Sequence, residues 1–191
     1  MSKQGSHTRK QRVVKRRINS PTNNSTNKLF LHLIRFRINK YVITADIEKM
    51  YLQVLLHEND RRYQRILWRK NDNVETYQIN KLAFGVSSSP FLAIRVLQKL
   101  ADDEAYAFST AAQVIKSHLY VDDLLSGTDS IEEARTIRDE VIALLARGRF
   151  SIRQWASNDK RIIDDLATSA LHARFTFDEG RFFKTLGIAW H

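Results

Sequence analysis

Residues 130–148, "SIEEARTIRDEVIALLARG", constrain the chain more than any other stretch. Ser130 and Glu133 have the spacing of a capping box, and Gly148 stops the run. Between them Ile131, Ala134, Ile137, Val141 and Leu144 recur as one apolar stripe, which predicts a helix that must bury that face. The flanking runs, "HLYVDDLLSG" and "FSIRQW", are short and apolar and predict strands. A striped helix between strands implies helices layered on a sheet.

The rest of the chain extends that pattern. "LFLHLIRFR" predicts a short helix and "KYVITAD" a buried strand ending on an acid. "RYQRILWRK" and "VETYQINKL" predict two strands turning at "NDN". "SSSPFLAIRVLQKLADDEAYAF" predicts a helix with Ser89 as N-cap and Pro90 at its first position. "VIKSHLYVDDLLSG" predicts two short strands with the aspartates at the turn. A short helix is expected through "DKRIIDDLATSAL", and a last hairpin through "RFTFDEGRFFKTLGIAW", turning at "DEG". With the 64–80 hairpin set aside as an insertion, the order is β-α-β-β-α-β. That predicts an α+β, ferredoxin-like architecture, which assigns no function by itself.

Composition narrows the classes. The 191 residues are 43% hydrophobic and 27% charged, which suits one globular domain with a smaller lobe. The absence of cysteine excludes disulfides and thiolate zinc sites. No apolar run approaches the ~18 residues of a membrane span, and no signal-peptide pattern opens the chain, so a soluble, intracellular protein without a membrane partner is expected. The net charge of +10 is unevenly placed: Lys3 to Lys40 hold 11 of the 31 lysines and arginines, and no acid precedes Asp46. Residues 1–28 are basic, polar and aperiodic, so little stable structure is expected there. Such a segment suits a polyanion such as nucleic acid, and a solvated tail is the alternative.

Three adjacent aspartate pairs occur. Asp102–Asp103 and Asp164–Asp165 sit in polar surroundings and are expected to be solvated. Asp122–Asp123 lies between "HLYV" and "LLSG", which brings its carboxylates close to the core. Asp46, ending "YVITAD", would meet Asp122 at one sheet edge if the first strand neighbours the central hairpin. Converging carboxylates repel unless a divalent cation compensates them, and oxygen ligands favour Mg²⁺ or Mn²⁺. A pair of such ions is the arrangement that drives phosphoryl displacement. The pattern leaves open that these are unrelated surface acids.

In order along the chain, "ADIEKMYLQV", "LAFGVSSSPFLA", "YVDDLLSG", "GRFSIRQWASN" and "KTLGIAW" resemble the palm motifs of retroelement reverse transcriptases. "TADIEKMYLQV", "FGVSSSPFLA" and "RQWASN" are most similar to the BEL/Pao class of LTR retrotransposons. The resemblance implies a basic segment over 1–28 and a palm with partial fingers over 29–191, with a fingers-like hairpin at about 61–80. It implies an RNA-directed DNA polymerase that adds deoxynucleotides to a primer 3′-hydroxyl on an RNA or DNA template. Two Mg²⁺ ions would serve, with Mn²⁺ as substitute.

Residue roles follow from the same resemblance. Asp46 and Asp122 would be the principal metal ligands, with Asp123 in support and Ile47 offering its backbone carbonyl. Tyr51 falls where the family places the aromatic under the incoming sugar, excluding a 2′-hydroxyl; as a residue alone it suits a core tyrosine. Phe84 and Gly85 match the nucleotide-pocket loop, with Phe84 where some viral relatives carry glutamine. Ser89 and Pro90 open the helix behind it. Tyr120 of "YVDD", with Thr185, Leu186 and Gly187, would face the primer–template. Arg61, Arg62, Arg65 and Arg69 flank the inserted hairpin and would meet template phosphates, or form a solvated face. "TRKQRVVKR" makes Arg12 a candidate triphosphate contact.

The segment before Leu29 departs from the family's fingers, and no thumb follows the "KTLGIAW" motif. The expectation is therefore a fragment of a retroelement polyprotein or a decayed copy. The alternatives are a non-catalytic nucleic-acid-binding remnant and a nucleotide cyclase-like enzyme on the same fold.

Overall fold

The computed structural model describes residues 23–176, 183–185 and 188–190. Helix α1 (Asn23–Ile38) leads into β1 (Tyr41–Ile47), followed by the short helices α2 (Met50–Gln53) and α3 (Glu58–Arg61). Strands β2 (Arg65–Lys70) and β3 (Asn73–Gln78) precede helices α4 (Ser89–Asp103) and α5 (Ser109–His118). Then come β4 (Leu119–Tyr120), β5 (Asp123–Thr128), α6 (Ile131–Arg147) and β6 (Ile152–Ser157). Strands β7 (Leu171–Thr176), β8 (Phe183–Thr185) and β9 (Ile188–Trp190) complete the described chain.

This is a mixed α+β fold around a five-stranded mixed sheet of order β4-β5-β1-β6-β7. Strand β1 is central and antiparallel to both neighbours, while β7 joins β6 in parallel. Alternation along β1 sends Ile43, Ala45 and Ile47 to one face, where they meet Leu124, Trp155 and the stripe Ala134, Ile137, Val141 and Leu144 of α6. On the other face Phe36 of α1 packs with Val42, Leu125 and Ala156. Each fully buried aliphatic side chain contributes roughly 1.5–3 kcal/mol, so the α6 stripe is the main anchor of the helical layer.

Several local expectations need correction. Helix α1 begins at Asn23, so residues 23–28 are helical. Ser88 takes the N-cap position of α4 without a side-chain cap bond, so Ser89 is the first helical residue and Pro90 the second. The predicted long helix breaks after Asp103. Val114 to His118 are helical instead of extended, because Ala111, Ala112, Val114 and Ile115 bury together at helical spacing. "DKRIIDDLATSAL" forms two single 3-10 turns, at Lys160–Ile162 and Thr168–Ala170, not a helix. In the predicted last hairpin, β7 pairs with β6, and β8 pairs with β9 in a separate two-stranded ribbon. The "DEG" turn lies outside the described residues. Only half of the capping box forms: Ser130 Oγ accepts from the Glu133 N–H at 3.1 Å, while the Glu133 carboxylate accepts from the Thr128 hydroxyl.

The β2–β3 ribbon turns at Asn71, whose φ of 55° is left-handed. All its residues are exposed, including Leu67 and Trp68. Among the described residues no helix is long and apolar enough to cross a membrane.

Candidate active site

Asp46 of β1 stands directly opposite Asp123 of β5, one position beyond the pair Ala45–Leu124. Ala45 and Leu124 enter the main core, so alternation places both carboxylates together on the other face, the one that α1 shares. Tyr120 of β4 pairs with Asp123 on the far side, and Arg153 of β6 pairs with Asp46. The row across the sheet is Tyr120, Asp123, Asp46, Arg153.

Pairing of Tyr120 with Asp123 leaves Val121 and Asp122 alone to turn the hairpin. Val121 has φ 61°, a left-handed conformation that costs a β-branched residue of order 1–3 kcal/mol. Neighbouring bonds hold the turn. The Ile47 N–H donates to the Asp122 carbonyl at 3.0 Å, tying the turn to β1. His118 Nδ1 lies 2.8 Å from Ser126 Oγ, tying the end of α5 to β5. Strand β6 bulges beside Asp46, with Gln154 at φ 55°. Bulges of this kind re-aim side chains next to active sites.

The electrostatics match this crowding. Burial, then the charges of Asp122 and Asp46, push the Asp123 carboxyl up to about 6. Burial, then Asp122 and Glu48, raise Asp46. Burial and the Asp122 charge also raise the Tyr51 phenol, so Tyr51 shares the same field. Among the described residues none of the three acids makes an ion pair. The other two aspartate pairs are exposed, as expected of solvated acids, and each of their carboxylates also meets a cation. Asp102 pairs with Lys116, Asp103 with Lys99, Asp164 with Arg135, and Asp165 with the buried Arg138.

A cluster of half-buried carboxylates without a cation partner among the described residues is a donor set of oxygens, the kind that hard divalent cations take. Among the described residues no three His, Cys, Asp or Glu side chains close on a single point. The acids therefore fit an ion held by one or two carboxylates and completed by water and substrate phosphates, as Mg²⁺ commonly is.

Beside the acids, the Tyr51 and Phe84 rings meet edge to face, with centroids 5.1 Å apart and 66° between planes. Tyr51 is half-buried and packs against the main core, while Phe84 is 60% exposed, so the pair stands where the core opens to solvent. Gly85 has φ +80° with open space where a Cβ would stand, so glycine is required there by its backbone alone. Ser89 Oγ donates to the Ala83 carbonyl at 2.7 Å.

The other expected contacts are dispersed. Tyr120 meets His32 of α1 edge to face, at 6.2 Å between centroids. Arg61 is used locally, donating to the Leu56 carbonyl at 3.2 Å and facing Glu58 at 3.7 Å. Arg62 lies over the Tyr63 ring, and Arg65 and Arg69 are exposed on β2. Thr185 pairs with Ile188 between β8 and β9. Leu186, Gly187 and Arg12 lie outside the described residues. Sequence reasoning gave no role to Val121, Gln53, Gln64, His118 or Ser126. For Val121 no local signal exists, since valine is among the residues least suited to a left-handed turn.

Fold and site together define a mixed α+β domain that gathers carboxylates at one end of its central strands, with the Tyr51–Phe84 ring pair beside them. Residues 7–155 match the sequence pattern of the family described as "Reverse transcriptase (RNA-dependent DNA polymerase)", and the chain belongs to that family. Its general activity is RNA-directed DNA polymerisation, on a nucleic-acid template–primer with deoxynucleoside triphosphates. No curated protein matches the chain.

Proposed function

We propose that the chain is the polymerase palm of a BEL/Pao-like retroelement, in a fragment of its polyprotein, and that Asp46, Asp122 and Asp123 carry its nucleotidyl transfer. The observation that carries this is the in-register Asp46–Asp123 pair, joined by Asp122 and lacking any described cation partner. The strand order β4-β5-β1-β6, with helices between β1 and β4 and between β5 and β6, supports the ferredoxin-like palm.

Asp46 and Asp122 would hold two divalent cations, with Asp123 and the Ile47 carbonyl in support. When bound, Mg²⁺ or Mn²⁺ lowers the pKa of an attacking hydroxyl and neutralises charge on a leaving phosphate. The chain's own residues supply position. Tyr51 and Phe84 form the wall against which a nucleotide sugar packs, and Tyr51 leaves no room for a 2′-hydroxyl. Gly85 lets the backbone pass close to the nucleotide. By the family resemblance, Tyr120, Thr185, Leu186 and Gly187 would contact the primer–template. Arg65 and Arg69, on one face of the exposed ribbon, suit template phosphates, a contact that positions without reading sequence.

The crowding of basic residues into Lys3–Lys40 favours a second reading, a binding remnant without catalysis. The two part in one experiment. A polymerase incorporates the nucleotide complementary to the template base and changes its choice when that base is changed. A remnant binds template–primer with strong salt dependence, loses that binding when residues 1–28 are deleted, and incorporates nothing.

A further inference from the structure

We infer that Gln53 and Gln64 are positioning residues of the nucleotide pocket: their side-chain amides pin the two chain segments that bring the Tyr51 and Phe84 rings together. This rests on the reading of that ring pair as the pocket wall.

Neither ring sits in a long helix or strand. Tyr51 lies in α2, a single turn that begins after Lys49 in a left-handed conformation (φ 47°). A turn that short has little stability of its own. Phe84 lies in the irregular stretch between β3 and α4. Backbone bonds join the chain just after Tyr51 to the chain just before Phe84, from the Leu82 N–H to the Val54 carbonyl at 3.1 Å and from the Leu56 N–H to the Asn80 carbonyl at 2.9 Å. Side chains set the two residues that carry the rings.

On the Tyr51 side the agent is Gln53. Its Oε1 accepts from the Ser151 N–H at 2.9 Å, and its amide N–H donates to the Glu48 carbonyl. The Glu48 N–H in turn donates to the Ser151 carbonyl at 2.9 Å. Residues 48–53 are thus strapped to the start of β6, and both ends of the Gln53 amide are used.

On the Phe84 side the agent is Gln64, at the base of the β2–β3 ribbon. Its Oε1 accepts from the Ala83 N–H at 3.1 Å. The Ala83 carbonyl accepts from Ser89, which is 1% exposed, so Ala83, the residue before Phe84, is held through both its N–H and its carbonyl. The Gln64 backbone is itself fixed, its N–H donating to the Arg61 carbonyl at 3.0 Å and its carbonyl accepting from the Ile79 N–H at 2.8 Å.

The two amides differ in what they need. Gln53 donates and accepts, so glutamate, which only accepts, fails there. Gln64 uses only its acceptor, so glutamate succeeds there. The test compares Gln53→Met, Gln53→Glu, Gln64→Met and Gln64→Glu in the full chain, first by single-nucleotide primer extension. Gln53→Met, Gln53→Glu and Gln64→Met should raise the deoxynucleotide KM by about tenfold with kcat nearly unchanged, and weaken discrimination against ribonucleotides. Gln64→Glu should behave as the parent. Unchanged KM in the two methionine variants, or Gln64→Glu failing with them, would overturn the assignment.

A second readout is independent of turnover: NMR cross-relaxation between the Tyr51 and Phe84 rings, selectively labelled, with melting temperatures recorded beside it. The parent and Gln64→Glu should show the ring–ring signal, and the other three should lose it while melting within a few degrees of the parent. A signal retained in the methionine variants would overturn the inference. If the signal follows this pattern but the parent extends no primer, the positioning stands and the polymerase reading falls.

Discussion

Asp46 and Asp123 face each other across the β1–β5 ladder, on the same side of the sheet, with no cation paired to either among the described residues. Like charges directly opposite on neighbouring strands destabilise a sheet. Under the proposed function, a fold that keeps them trades stability for the site they form.

That trade has a sign in pH. Asp123 titrates from the ordinary 3.8 in the unfolded chain and about 6 in the fold, so between those values the folded state binds more protons. Stability therefore falls as pH rises through that window and stays low above it. Asp123→Asn should melt a few degrees above the parent at pH 7.5 and level with it at pH 4, since about 1 kcal/mol moves the midpoint by ~2–4 °C at this size. A thermal melt at the two pH values checks this; equal midpoints at pH 7.5 would contradict it.

Divalent cations should relieve the same repulsion. Millimolar Mg²⁺ or Mn²⁺ should raise the parent's melting temperature at pH 7.5, less so at pH 5, where protons compete for the carboxylates. Asp46→Asn should blunt the shift. An equal shift in parent and variant would place cation binding elsewhere.

Tyr51 predicts a change of substrate. Tyr51→Val should raise ribonucleotide incorporation relative to deoxynucleotide by at least about tenfold, the loss of a steric exclusion and not of a general contact. Competition between the two nucleotides in single-step extension measures it. Unchanged sugar discrimination would remove Tyr51 from that role.

The acids that do find partners carry stability instead. Arg138 of α6, 1% exposed, donates through Nη2 to Asp165 Oδ2 at 2.9 Å, and also to Asp139 and the Ile162 carbonyl. Asp165→Ala should cost about 1–3 kcal/mol by leaving that buried guanidinium short of a partner. Replacing both at once, with Arg138→Met and Asp165→Ala, should cost less than either loss would suggest, because the uncompensated charge goes too. Urea unfolding of the variants checks the order.

Much of this was legible in the sequence where the signal is local. The stripe of α6, the "NDN" turn and the strand β1, which runs one residue past Asp46, each follow from patterns confined to a few residues. The crossing of Asp46 with the aspartate hairpin could be foreseen only by assuming a strand order. The register then placed Asp123, not Asp122, opposite Asp46. Val114 to His118 were illegible because a short apolar run serves helix or strand equally, and packing against α6 chose helix. The left-handed Val121 and the amide straps of Gln53 and Gln64 carry no local signature, since each is fixed by a partner distant in the chain.

The most direct test of the central claim is single-nucleotide extension of a primed RNA template with Mg²⁺ or Mn²⁺, run beside Asp122→Asn. Templated addition by the parent, abolished in the variant and by excess chelator, is the predicted result. Addition that survives Asp122→Asn, or that proceeds in excess chelator, would contradict the assignment of catalysis to these carboxylates.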